Sequence, residues 1–178
     1  MSFLNSYYQK ITQYDLINKF CYKDVNQFPK LEKIILNFGY KKSSFKHLIS
    51  GLLALESISS KKSQFTKSKY SNLFLKIKKG NPVGCKVVLK KNVMFVFYLK
   101  LLIHIFPKFK QSQTHYLKKN LKSIKSISLT LKTPLLFPEL ENQYQFFKDL
   151  PSLNLTLLTN SKSFNEFIFL LKSIKFFI

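Results

Sequence analysis

Lys76-Ile-Lys-Lys-Gly-Asn-Pro-Val-Gly-Cys-Lys-Val-Val-Leu-Lys90 is the stretch on which the reading of this chain turns. On its first side Leu73, Leu75 and Ile77 alternate with Phe74, Lys76 and Lys78. On its second, Val83, Cys85, Val87 and Leu89 alternate with Lys86, Val88 and Lys90. Successive side chains of a strand point to opposite faces, so this period of two predicts two strands. Gly80, Asn81, Pro82 and Gly84 supply the turn chemistry between them. Lys78, Lys79 and Lys86 crowd the turn, which makes the unit a protruding basic β-hairpin suited to a polyanion.

Working outward, Leu4, Tyr7, Tyr8, Ile11, Tyr14, Ile17 and Phe20 recur with a helical period. From Lys30 the pattern becomes a strand, with Ile34, Leu36 and Phe38 on one face, Lys33, Ile35 and Asn37 on the other, and Gly39 at its end. Phe45, Leu48, Ile49, Leu52 and Leu53 keep the spacing of an amphipathic helix running to about Ile58, with a serine- and lysine-rich outer side. Ser59 to Tyr70 reads as a polar connector. A helix from about Asn92 to Ile105 should stop before Pro107. Lys108 to Lys125 reads as a solvated or RNA-facing loop. Strands follow at Ile127–Leu131 and Leu153–Leu157, and Ser163-Phe-Asn-Glu166 has the spacing of a capping box ahead of a last helix. The sum is an α+β fold, an antiparallel β-sheet covered by helices, in a single domain over residues 1–178.

The 178 residues carry a formal charge of +22, with eight acidic side chains and no arginine or tryptophan. Such a surface repels itself unless something anionic lies against it. Residues with AT-rich codons dominate, which points to the genome of an organelle or a reduced bacterium and leaves the choice of lysine over arginine to mutational bias. Cys21 and Cys85 lie too far apart in sequence for a metal pattern and are expected to be thiols in a reducing compartment. Val93 to Phe106 is interrupted by Lys100 and His104 and is too short to span a bilayer. The first residues carry neither a transit nor a secretory pattern, which for an organellar protein implies synthesis in place.

Catalytic chemistry finds little support. Gly80 to Lys86 superficially resembles a phosphate-binding loop, but its glycines are one residue too close, and it joins strands instead of opening a helix. Cys85 alternates with Val83 and Val87 and should pack in the core. His104 reads as a core histidine, while His47 and His115 show no ligand spacing. The carboxylates form no acid/base pair, so no enzyme, metal or cofactor is expected. Lysines instead cluster at Lys41-Lys42, Lys61-Lys62, Lys67 to Lys69, Lys76 to Lys91 and Lys118 to Lys125. Five basic runs with so few acids describe a distributed phosphate-binding surface. Tyr40, Phe65, Tyr70 and Tyr116 among them could stack on bases or pack on the sheet.

Four ordered motifs also carry a resemblance. Phe28-Pro-Lys-Leu-Glu-Lys-Ile-Ile-Leu-Asn-Phe-Gly39, Thr66-Lys-Ser-Lys69, the Lys76–Lys90 segment and Phe137-Pro-Glu139 resemble the P-x-x-E-K-I-x-L-N-x-G, T-K-A-R, hairpin and F-P-E elements of the 5S-rRNA-binding protein five family of the large ribosomal subunit, in its mitochondrial form. The resemblance implies an antiparallel sheet flanked by helices. It implies rRNA contacts from Lys33, Asn37, Gly39, Lys61, Lys62, Thr66, Lys67 and Lys69, with 5S or a substitute and a 23S-like rRNA as partners in the central protuberance. It further implies that Lys76, Lys78, Lys79, Gly80, Asn81, Pro82, Gly84 and Lys86 approach P-site tRNA, that large-subunit proteins are neighbours, and that a small-subunit head protein is touched. Two departures stand out: Lys61 replaces the family's glutamine, and Gln111 to Lys125 replaces a glycine-rich hairpin. The expected place is the mitochondrial ribosome, away from membranes. The lysine clusters alone equally suit a free RNA-binding assembly or splicing factor, and Phe164 to Ile178 is the one candidate for a membrane-surface helix.

Overall fold

Six strands satisfy one another's backbone groups in a single antiparallel sheet. They are β1 (Leu31–Gly39), β2 (Gln64–Lys67), β3 (Pro82–Leu89), β4 (Leu117–Ser123), β5 (Ser126–Leu131) and β6 (Leu153–Thr159), in the order β2-β3-β1-β6-β5-β4. The computed structural model describes residues 3–22, 24–40, 45–111, 117–123 and 125–176. Lys41-Lys42 and Tyr116, named above as possible contacts, and His115 lie outside them. Alternation sends Ile34, Leu36, Phe38, Cys85, Val87, Leu89, Ile127, Leu129, Leu131, Leu153, Leu155 and Leu157 to one face, where all are buried. Helices close over that face, as an α+β reading requires.

The first helix, α1, runs through Phe3–Tyr7, a wide π turn at Tyr8–Thr12, and Gln13–Lys19. Its buried residues are Leu4, Tyr8, Thr12 and Leu16, one in every four. An α-helix turns every 3.6 residues, so a four-residue stripe would drift around it, and one wide turn restores the phase. Ile11, Tyr14 and Ile17, expected on the packed stripe, are therefore exposed. The next helix, α2 (Phe45–Ser59), likewise buries Leu48, Gly51, Leu55 and Ile58 and leaves Phe45, Ile49 and Leu53 exposed. The Tyr40 ring lies directly on Gly51, and a Cβ there would meet the Tyr40 hydroxyl. That contact turns the glycine side of α2 toward the sheet.

Pro107 does not end the following helix. Lys91–Lys100, a π turn at Leu101–Ile105, and Phe106–Gln111 run on as α3. A proline ring crowds the carbonyl four residues back, and the wide turn directly before it loosens that position. His104 is exposed on this helix, not buried. Lys100 of α3 donates to the Ile58 carbonyl at the end of α2 (2.9 Å) and pairs with Glu139 at 2.7 Å. The F-P-E segment is thus structural: Phe137 stacks on Phe97, and Pro138 opens the short helix α4 (Pro138–Glu141). Replacing Lys100 with methionine should cost about 1–2 kcal/mol by stranding both acceptors, a fall in melting temperature of roughly 2–8 °C by calorimetry.

After α5 (Tyr144–Phe147) and β6, the last helix, α6 (Phe164–Ser173), begins with the expected box. The Glu166 N–H donates to Ser163 Oγ, and the Glu166 carboxylate accepts from the Ser163 N–H. Phe167, Leu170 and Leu171 of α6 are buried, so the stripe that suited a membrane surface covers the core instead. No helix among the described residues is long and apolar enough to cross a membrane.

Two expectations about strands also need correction. The segment Leu73–Lys78 is not a strand: Leu73 and Phe74 are exposed, and the outer partner of β3, on the side away from β1, is β2, inside the stretch read as a polar connector. The alternation Leu73, Leu75, Ile77 belongs to a folded loop, because a 14-residue connection closes on itself once Ser68 and Asn81 pair. The second correction concerns Lys108 to Lys125, where Leu117–Ser123 forms β4, paired with β5 from Leu117↔Leu131 to Ser123↔Ser126. Strand β5 had an unpaired edge to offer, and backbone pairing does not depend on side-chain charge.

Candidate nucleic-acid interface

The face of the sheet opposite the helices carries Lys33, Ile35 and Asn37 of β1, Gln64 and Thr66 of β2, Gly84, Lys86 and Val88 of β3, Ser126, Ser128 and Thr130 of β5, and Asn154, Thr156 and Leu158 of β6. Gly84 apart, none of these is buried. Registers align them in rows. One row runs Gln64–Lys86–Asn37–Asn154–Thr130 across five strands and is polar throughout; a second runs Val88–Ile35–Thr156–Ser128. Thr130 donates to Asn154 Oδ1 at 3.0 Å, and Ser128 and Thr156 share a 3.3 Å hydrogen bond. These bonds pre-order the β5–β6 half of the face.

Asn37 sits in the middle of the polar row, half-buried, and its Oδ1 is buried with no hydrogen-bond partner among the described residues. Leaving such an acceptor unpaired costs about 1–3 kcal/mol, a loss that a donor from a bound molecule would cancel. Lys86 stands beside it in the same row. Beyond Gly84, Thr66 Oγ1 comes to 2.8 Å from where a Cβ on that glycine would lie. Hydroxyls, amides and an ammonium on one flat face are the groups that donate to phosphate, ribose and base edges.

The other sequence-picked residues divide into groups. Lys62, Lys67 and Lys69 are exposed along the β2 side of the sheet, Gly39 is exposed at the end of β1, and Lys33 is half-buried on the open face. Lys61 is occupied differently from a plain phosphate contact: its Nζ donates to the Val88 carbonyl at 2.6 Å, capping β3 beyond the end of β2. Lys76, Lys78, Lys79, Gly80 and Asn81 belong to the loop Ser68–Asn81, and Pro82 begins β3. Gly80 has φ 90, a conformation glycine adopts freely. The structure therefore separates Lys86, on the sheet face, from the loop lysines with which the sequence grouped it.

The open face also holds Gln64, Asn154, Thr130, Thr156 and Ser128, which lysine clustering does not reveal. Their signal is the alternation of leucine or isoleucine with serine, threonine and asparagine in Ser126–Leu131 and Leu153–Thr159. Charge sharpens the picture: no acidic residue stands between Glu56 and Glu139. The ion pairs Lys100–Glu139 and Lys108–Glu141 tie α3 to α4. Of the aromatics, Tyr40 packs on α2 with its hydroxyl pushed to a higher pKa by burial, Phe65 is 41% exposed beside Cys85 in the register, and Tyr70 is open to solvent.

Cys85 is fully buried and donates to the Leu48 carbonyl at 3.3 Å, and burial pushes its thiol up to about 11. An unfolded thiol ionises first, so this site withdraws stability only as pH rises from about 9 toward about 11. At pH 8 iodoacetamide should label the exposed Cys21 alone, with a second label only in denaturant; intact-mass spectrometry reads the count. Among the described residues no group of His, Cys, Asp or Glu could hold a metal.

No family model matches the chain. It is 36% identical over 175 residues to large ribosomal subunit protein uL5 of Wigglesworthia glossinidia brevipalpis, covering 97% of each chain. To uL5m of Reclinomonas americana it is 33% identical over 168 residues, 93% of this chain and 92% of that one. To uL5 of Blochmanniella floridana it is 31% identical over 178 residues, 99% and 92% respectively.

Proposed function

The chain belongs to the uL5 family of large ribosomal subunit proteins, and from that premise we propose that it binds 5S or an equivalent rRNA through the open sheet face while its Ser68–Asn81 loop approaches P-site tRNA. Its relatives are structural ribosomal proteins, not enzymes, and it is a structural protein of the large subunit. The observation that carries the finer reading is the polar row through Lys86, Asn37 and Asn154, which contains no acidic residue and has at its centre a buried acceptor with no partner among the described residues. Lysines at the margin, Lys33, Lys62, Lys67 and Lys69, neutralise phosphates, and the asparagines and threonines set register on the RNA.

The chain acts as one ribosomal-protein domain in the central protuberance, beside a 23S-like rRNA and neighbouring large-subunit proteins. Its β4–β5 edge is the side left for a small-subunit head protein. Mitochondrial location is part of the proposal and draws on the composition and on the likeness to a uL5m; bacterial relatives match at similar identity. Sucrose-gradient fractionation of mitochondrial lysate tests the reading. The protein should sediment with large subunits and persist in mature ribosomes; a protein found only free, or only on precursors, would mean an assembly or splicing factor instead.

A further inference from the structure

The helix layer, on the side of the sheet away from the open face, holds a cavity of about 440 Å³. Leu4 and Tyr8 of α1, Met94 and Phe95 of α3, Leu170 of α6 and Ile174 just beyond it form its apolar walls. Its two phenols are already engaged: Tyr8 donates to the Pro29 carbonyl at 2.9 Å, and Tyr98 donates to the Ile174 carbonyl at 3.3 Å. With those hydroxyl protons engaged, both rings serve the cavity as apolar wall. Its volume lies within the range of about 300–1,000 Å³ in which small ligands are held.

The charged groups around this cavity stand at its exposed margin. They are Lys30, just before β1, Glu32 of β1 and Lys91 at the start of α3, all open to solvent. Neither lysine is ion-paired among the described residues, where the pairs are Lys100–Glu139 and Lys108–Glu141. Two ammonium groups against one carboxylate leave the margin positive, which suits a singly charged anion. A ligand complementary to wall and margin is an unbranched apolar chain with one negative charge at its end. Since an apolar cavity of about 150 Å³ takes up the six carbons of benzene, one about three times larger has room for roughly ten to fourteen carbons in a chain. We propose that this cavity binds a free linear monocarboxylate of that length, its tail among α1, α3 and α6 and its head at Lys30 and Lys91. A two-chain phospholipid exceeds the space, and the open face for RNA lies on the other side of the sheet.

Decanoate, below its micelle concentration, is titrated into the full chain by calorimetry. It is also titrated into Phe95→Trp, which places a single fluorophore in the cavity wall because the chain contains no tryptophan. The emission should shift to the blue as the tail displaces water. Affinity should rise about fourfold for each methylene added between octanoate and decanoate, as burial of each group requires. Decanol should bind more weakly than decanoate. Lys30→Gln combined with Lys91→Asn should weaken decanoate about tenfold and leave decanol unchanged, asparagine being chosen because it tolerates the φ of 52 at position 91. Equal affinity for octanoate and decanoate, or loss of all binding in high salt, would mean ion exchange at surface lysines and overturns the proposal. Equal affinity for decanol and decanoate removes the lysines from the site and overturns it too. A response to vesicles of anionic phospholipid with none to decanoate assigns the helix layer to a lipid surface, and absence of both heat and emission change leaves the cavity without this ligand; either result overturns the proposal.

Discussion

Raising monovalent salt from about 50 to about 200 mM should weaken binding of this chain to an rRNA fragment roughly a thousandfold. The size follows from the lysines that the fold places toward the candidate interface. Lys33 and Lys86 lie on the open face, Lys62, Lys67 and Lys69 on its β2 side, and Lys76, Lys78 and Lys79 on the adjoining loop. If about six of these each displace a condensed counterion, log affinity falls with log salt at a slope near five, and a fourfold change in salt then gives about three decades. Filter binding across a salt series measures the slope. Lys86→Ala should reduce it by about one, as a lost phosphate contact does, whereas Asn37→Ala should lower affinity about five- to tenfold at every salt concentration. A slope of one or less would leave the +22 charge without a role in binding and would remove the open face as an RNA surface.

Where the sequence was legible and where it was not has a common physical cause. Strands whose two faces differ strongly in polarity announce themselves: Ile34, Leu36 and Phe38 against Lys33 and Asn37, or Val83, Cys85 and Val87 against Lys86, read out the buried face of β1 and β3 correctly. The capping box at Ser163 was equally plain, because it is a local hydrogen-bond pattern. Alternation misled at Leu73–Ile77, since a loop with exposed apolar residues carries the same pattern as a half-buried strand. Charge misled at Leu117–Ser123, where the lysines hid an edge strand. Helix phase failed in α1 and before Pro107, because π turns are set by packing and leave no composition signal. The candidate interface appears in the sequence as a set of basic residues, but the central polar row does not. Lys86, Asn37, Asn154 and Thr130 are far apart in sequence, and only the strand order β3-β1-β6-β5 brings them into line.

Gly84→Ala should destabilise the chain by about 2–3 kcal/mol, a fall in melting temperature of roughly 4–12 °C. Gly84 is buried on the open side of β3, paired with Gly39 of β1 and Thr66 of β2. An added Cβ would collide with the Phe38 carbonyl oxygen and press on Thr66 Oγ1, 2.8 Å away. The carbonyl belongs to the central strand and cannot move without disturbing the β1–β6 ladder, so β3 and the four-residue β2 must shift. That shift would carry Thr66 and Lys67 with it, and RNA affinity should fall along with stability. Cys85→Ala provides the comparison. It removes a buried thiol from the opposite face, where a cavity costs stability by a similar mechanism but leaves the backbone of β2 in place. Calorimetry and filter binding on both variants should show loss of stability in each and loss of binding, at temperatures well below melting, only in Gly84→Ala. Equal RNA affinity for the two folded variants would mean that the β2 margin does not meet RNA and that the polar row through Asn37 carries the contact without it.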